Sequence, residues 1–256
     1  MNLWENTPGL CEEIPTLTYY PAADKKSDAA IIIFPGGAYT HRAPHEGKGY
    51  ADFLNSVGFD AFVCDYRVSP HRFPLELLDA RRAVRTVRYY ADKYGINKSK
   101  IIVMGSSAGG SLVSLLCTYK KPIDFEGVDD IDKEDFMPNG QILCYPVITL
   151  ANDNVTHMGS KINLFGEENI GMAAAMSPEL NVVPTTPPAF IWHTAADDGV
   201  SVLNSYMYAT ALKNNNVPTE MHIFPFGRHG LGVASENEHV AQWTGLLHNW
   251  LKLMFA

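Results

Sequence analysis

Short apolar runs rich in β-branched and aromatic residues alternate along this chain with longer stretches whose apolar residues recur every three or four positions. Leu17–Tyr20, Ala30–Phe34, Asp60–Cys64, Ile101–Met104, Gln141–Cys144, Ala189–His193 and Glu220–Phe224 make up the first set. Each has the length of a strand, the first expected at an edge and the other six in the interior of a sheet. Helical spacing is expected around residues 46–57, 74–94, 108–119, 201–215 and 238–254. This alternation predicts a mostly parallel α/β sheet with helices on both faces. In the second of these helices Leu77, Leu78, Ala80, Ala83, Val84, Val87 and Tyr90 fall at helical spacing, and Arg81, Arg82, Arg85 and Arg88 take the remaining faces. The arginines are therefore expected to form a solvated surface.

Two stretches break the alternation. Residues 120–139 carry Asp124, Glu126, Asp129, Asp130, Asp132, Glu134 and Asp135 without the spacing of a calcium loop, which predicts a solvated surface loop. Residues 151–188 hold Met158, Ile162, Leu164, Phe165, Met172 and Met176 among glycines and polar residues; connections this long usually serve as lids or binding loops. Both are expected as insertions toward the active-site side of a single domain spanning residues 1–256, a length suited to one α/β core.

A formal net charge of −8 argues against nucleic acid and against an anionic membrane surface, and favours a small neutral substrate. Cys11, Cys64, Cys117 and Cys144 are widely spaced, with no pair at metal or redox spacing, so they read as reduced core thiols. The N-terminal residues show neither a basic segment nor an apolar h-region, and no run has the length of a membrane span, which points to a cytoplasmic protein. The sequence leaves a homo-oligomer open.

The chemistry centres on Gly105-Ser106-Ser107-Ala108-Gly109-Gly110, between the strand ending at Met104 and the helix that follows. Small neighbours permit a sharp turn that lifts Ser107 to the start of that helix, where backbone N–H groups and the helix dipole favour a developing negative charge. Ser106, off the centre of the motif, reads as a packing or turn residue. A serine hydroxyl needs a base and an orienting acid. His229, between Gly227 and Gly230 after the last strand, is the candidate base; His222, inside a strand, is the weaker one. His41 and His45 lack the order of a metalloprotease helix, and no metal is expected there. The acid is Asp197 or Asp198, after the strand ending at His193, unless both only cap the following helix. Gly37 and Ala38, in the loop Phe34-Pro35-Gly36-Gly37-Ala38-Tyr39, are candidate oxyanion-hole donors together with the Ala108 N–H. Each such donor is worth on the order of 3 kcal/mol.

These motifs resemble the α/β-hydrolase serine esterases, in the branch near acetylxylan esterases and bacterial carbohydrate esterases. The oxyanion loop, Asp65-Tyr66-Arg67-Val68, Phe73-Pro74, Asp79 to Val84, the elbow at Gly105–Gly110, His193 to Asp197 and His222 to Gly230 carry the resemblance through most of the chain. Pro35 stands where the related lipase motif has histidine, Ala38 where it has a third glycine, and Ser201 where proline is common. The resemblance implies an α/β-hydrolase fold that hydrolyses small acyl esters, often acetyl groups on sugars, without a cofactor. It favours Asp197 over Asp198 by placing the acid three residues before a valine. A carboxylesterase acting on acetylated oligosaccharides is thus expected, with an arylformamidase or small amidase as the alternative on the same residues. An inactive hydrolase-fold binding module is the alternative of another class. Tyr39, His41 and Trp192 are candidate walls for a sugar ring, and an internal ion pair among Asp65, Tyr66 and Arg67 is expected to support the oxyanion loop.

Overall fold

The computed structural model describes residues 1–9 and 13–255. Seven strands, β1 (Thr16–Tyr20), β2 (Ala30–Phe34), β3 (Asp60–Asp65), β4 (Ile101–Ser106), β5 (Gly140–Cys144), β6 (Ala189–Thr194) and β7 (Thr219–Phe224), form one sheet in the order β1-β3-β2-β4-β5-β6-β7. Only β1 is antiparallel to its neighbour; every other pair is parallel. The helices are α1 (Pro44–Ser56), α2 (Leu75–Tyr89), α3 (Ala91–Tyr94), α4 (Ala108–Thr118), α5 (Met158–Phe165), α6 (Ile170–Ala173), α7 (Leu203–Asn214), α8 (Glu238–Ala241) and α9 (Trp243–Phe255).

Alternate residues of β2 serve opposite layers. Ile31 and Ile33 belong to the apolar layer that holds Tyr50 and Leu54 of α1 and Trp243 and Leu247 of α9; Ala30, Ile32 and Phe34 belong to the one that holds Leu77 of α2, Leu112 of α4 and Leu212 of α7. Burial on both faces is why the interior strands are continuously apolar, at about 2 kcal/mol per large aliphatic side chain. The expected interior position fails for β7, which is the edge strand opposite β1, with Thr219–Ile223 partly exposed. The sequence carries the signal: polar Glu220 and His222 alternate with Met221 and Ile223, as in a half-covered strand.

The solvated arginine face is also overturned. Arg81, Arg82, Arg85 and Arg88 are all buried, beneath residues 119–139. Arg82 bonds both oxygens of Asp129 (2.6 and 2.5 Å), Asp132 Oδ1 (2.8 Å) and the Leu3 carbonyl (2.9 Å). Arg81 and Arg85 share Glu126, at 3.1 and 2.9 Å, and Arg88 donates to the carbonyls of Asp135 and Met137. The acid-rich stretch is thus a set of counter-charges, since a guanidinium leaves water only where its N–H groups find partners. It joins the end of α4 to the start of β5, which places it by the opposite strand ends from Ser107 and not on the active-site side as expected.

Residues 151–188 include α5 and α6 and begin after the carboxyl end of β5, the end at which Ser107 follows β4. Cys64, Cys117 and Cys144 are buried free thiols, while Cys11 lies outside the described residues. Among the described residues no helix is long and apolar enough to cross a membrane.

Candidate active site

Ser107 occupies the step between β4 and α4 with φ 51° and ψ −117°. Such a conformation costs a non-glycine residue about 1–3 kcal/mol and persists only where its surroundings enforce it. Here the Ser107 N–H donates to the Cys144 carbonyl (3.0 Å), and its own carbonyl accepts from Ser111 and Val147 (both 3.0 Å). Glycine is required alongside: a Cβ at Gly109 would run into the Phe34 carbonyl, and one at Gly105 into the Gly109 carbonyl. Four of the seven non-glycine residues with positive φ among the described residues, Ala38, Tyr39, Ser107 and Tyr145, gather at this end of the sheet.

The carboxyl ends of three strands bring together side chains far apart in sequence. Ser107 Oγ, after β4, lies 2.9 Å from Nε2 of His229, after β7. Nδ1 of His229 lies 2.8 Å from Asp197 Oδ2, after β6. Of the two candidate acids, Asp197 faces the ring, while Asp198 accepts the backbone N–H of His229 at 3.2 Å. An imidazole Nδ1 against a carboxylate carries its proton there, which leaves Nε2 as the acceptor for the Ser107 hydroxyl. Burial pushes the Asp197 carboxyl up, but hydrogen bonds from His193, His229 and the Val200 N–H outweigh it and hold the group well below the usual carboxylate range. The pair at one oxygen and the Gly199 and Val200 N–H groups at the other (2.9 and 2.8 Å) keep the acid ionised and fixed.

Gly36 approaches Ser107 so closely that a Cβ on it would sit 3.0 Å from Ser107 Cβ. The following Gly37 and Ala38 N–H groups donate to no other group among the described residues. The Gly37 carbonyl is turned away, accepting from Thr40 and His41 at 2.9 and 3.3 Å. Ala108, at the first position of α4, directly follows the serine. The Tyr66 hydroxyl supports the loop by donating to the Pro35 carbonyl (2.6 Å), and Asn163 of α5 donates to the Ala38 carbonyl (2.8 Å). Arg67 instead pairs with Asp79 of α2 (2.7 Å), both side chains fully buried. His157, the N-cap of α5, accepts from the Ser160 N–H, and burial followed by the nearby His229 lowers its pKa. The 151–188 segment therefore reaches this site.

Other candidates fall elsewhere. His222 pairs with Glu220 on the β7 edge (2.8 Å), and His45, expected in a loop, lies in the first turn of α1. Tyr39 and Trp192 are wholly buried, so neither walls a sugar site. Ser106 is buried, with its hydroxyl 2.8 Å from that of Tyr50. Sequence reasoning missed His193, which holds the Val200 carbonyl (3.0 Å) and reaches Asp197 Oδ2 (3.3 Å). Its position four residues before Asp197, at a strand end, was the available signal. It also passed over Tyr145, whose ring meets His229 edge-on with centroids 5.1 Å apart. Among the described residues no group of three or more His, Cys, Asp or Glu side chains is arranged to hold a metal ion.

Comparison with known proteins gives these features a context. The BD-FAE family model matches residues 18–212. The chain is 43% identical to the acetyl ester-xyloside bifunctional hydrolase of Caldicellulosiruptor lactoaceticus, with a TM-score of 0.92 over 98% of this chain and 94% of that one. It is 36% identical to endo-1,4-beta-xylanase B of Butyrivibrio fibrisolvens, over 95% of this chain and 39% of that protein. It is 32% identical to the acetylxylan esterase of Xylanibacter ruminicola, over 90% of this chain and 46% of that protein. The chain thus spans less than half the length of either of these two curated relatives. Its fold is that of the α/β hydrolases, and the chain belongs to the BD-FAE family.

Proposed function

We propose that this member of the BD-FAE family is a serine esterase that removes small acyl groups, above all acetyl groups, from sugars and xylo-oligosaccharides. The observation that carries the reading is the unbroken chain of hydrogen bonds from Ser107 Oγ through His229 to Asp197, at 2.9 and 2.8 Å. The substrate class rests on relatives named for acetylxylan and acetyl ester-xyloside hydrolysis.

In the proposed mechanism Ser107 Oγ attacks the ester carbonyl as its proton passes to His229 Nε2. The new oxyanion accepts from the Gly37, Ala38 and Ala108 N–H groups. Asp197 stabilises the imidazolium and keeps its tautomer without taking the proton. Collapse of the tetrahedral species breaks the ester C–O bond, and His229 returns the proton to the departing alcohol. Water then repeats the sequence on the acyl-Ser107 intermediate, releasing the carboxylate and restoring the hydroxyl.

Release of acetate from acetylated xylo-oligosaccharides by the purified protein tests the substrate, and Ser107→Ala tests the chemistry. A loss of kcat of roughly a millionfold is expected for the variant, with little change in thermal midpoint. Undiminished turnover by Ser107→Ala would overturn the mechanism. Turnover of N-formylkynurenine in place of any sugar acetate would overturn the substrate class while leaving the chemistry standing.

A further inference from the structure

Behind the site lies a set of buried polar groups that none of the proposed chemical steps uses. Glu46, in the first turn of α1 and 3% exposed, accepts the Gly36 N–H on one oxygen (2.8 Å) and the Tyr145 hydroxyl on the other (2.7 Å). The Tyr145 oxygen accepts in turn from the Gly232 N–H (2.9 Å) and stands 3.0 Å from the Tyr50 hydroxyl, which lies 2.8 Å from Ser106 Oγ. Next to Glu46, His45 Nε2 bonds the Gly230 carbonyl at 3.0 Å.

The direction of these bonds follows from donor counting. A phenol has one proton, and that of Tyr145 goes to the Glu46 carboxylate. Tyr145 is then an acceptor toward Tyr50, and Tyr50 an acceptor toward Ser106, so every hydroxyl in the chain points its proton toward Glu46. The three positions held, two by backbone N–H and Ser106 by its hydroxyl, are informative: Gly36 is two residues before Ala38, Ser106 one before Ser107, and Gly232 three after His229. One buried carboxyl therefore connects the oxyanion loop, the nucleophile turn and the histidine loop. Apolar packing fixes volume loosely, whereas a satisfied hydrogen-bond network fixes direction and register.

Resting on the site reading above, we propose that Glu46 and Tyr145 are positioning residues for the reaction, setting the distance between His229 and the oxyanion loop across Ser107. Tyr145 does this twice, through its hydroxyl on Gly232 and through its ring edge on His229. Its own backbone, at φ 37°, is strained to bring the ring there.

The test compares Glu46→Gln and Tyr145→Phe with Asp132→Ala, a destabilising change in the counter-charges of α2. Glutamine keeps the shape of Glu46 but has one acceptor oxygen where the carboxylate has two, so either the Gly36 N–H or the Tyr145 hydroxyl loses its acceptor. Phenylalanine keeps the ring against His229 and removes only the hydroxyl. Both are expected to lower kcat about 10- to 100-fold with KM within threefold. Labelling of Ser107 by a fluorophosphonate should slow in the same proportion. Asp132→Ala should lower the thermal midpoint at least as much and leave kcat and labelling unchanged. Values of kcat within twofold of the wild type for both network variants, or losses that merely follow the thermal midpoint as in Asp132→Ala, would overturn the proposal. Ser107→Ala run alongside separates this failure from failure of the site reading itself, which only undiminished turnover in that variant would indicate.

Discussion

The α2 face and the carboxyl end of the sheet both bury charge, and they do so to opposite ends. Under residues 119–139 the Arg82 guanidinium is matched with carboxylates and carbonyls at 2.5 to 2.9 Å, and its side chain is sealed from solvent. At the strand ends Asp197 is equally enclosed, yet its partner His229 retains a side-chain exposure of 25% and presents Nε2 to a serine that solvent still reaches. A closed set of pairs can only hold the chain together. A set left open at one atom can transfer a proton, and the left-handed backbone at Ser107, Ala38 and Tyr145 is the cost of leaving it open.

The sharpest separation of the two regions comes from Asp197→Asn. The amide cannot hold the His229 tautomer, so kcat should fall on the order of ten-thousandfold while the thermal midpoint changes by only a few degrees. Asp198→Asn, which alters a group that accepts from the His229 backbone and not from its ring, should stay within tenfold of the wild type. Equal losses in the two would show that the ring is not held as described. On the other face Arg82→Met takes the 2.8 Å partner from buried Asp132 and leaves it Arg85, at 3.8 Å, as counter-charge, and breaking such a pair costs about 3–5 kcal/mol. The midpoint should drop by about 10 °C or more, read by calorimetry, with kcat at 25 °C within twofold of the wild type. A catalytic loss beyond that would join the two regions that the structure keeps apart.

Glu76 stands at their border, in the first turn of α2 beneath Tyr39, and neither of its buried oxygens has a hydrogen-bond partner among the described residues. Burial pushes its pKa from 4.5 to about 8. The folded state therefore binds the extra proton between those values, and stability declines as pH rises from about 4.5 to about 8, then levels off. Glu76→Gln removes the ionisation. Its midpoint relative to the wild type should climb by about 10 °C across that window, and a difference that stays flat from pH 5 to pH 8 would refute the assignment.

Much of the fold was legible because burial on both faces leaves its mark in composition: β2, β4, β5 and β6 are strands whose neighbours on either side are apolar. The grouping of Ser107, His229 and Asp197 was legible because small residues mark two of its turns and the order of the chain matches the order of strand ends. The arginines of α2 were not, since helical spacing separates apolar from polar positions without saying whether distant acids will cover the polar side. The 120–139 stretch held that information, but only its charge balance against Arg81, Arg82 and Arg85 would have revealed it. Glu46 and Tyr145 escaped because their partners include backbone N–H groups and hydroxyls drawn from three loops. Nothing local distinguishes such a carboxyl from a helix-start residue facing water. The choice between Asp197 and Asp198 turned on which side chain faces the ring, a matter of a single backbone step.

Trp192 lies flat against Trp243, with centroids 4.9 Å apart and planes inclined by 15°, and meets the ring of Tyr145 edge-on. Both indole nitrogens are buried without a hydrogen-bond partner among the described residues, an environment that shifts emission to the blue. The molecule consequently carries an optical reporter one aromatic ring removed from His229. A shift of the histidine loop on covalent labelling of Ser107 is expected to register in the intrinsic emission of the protein, with no dye attached.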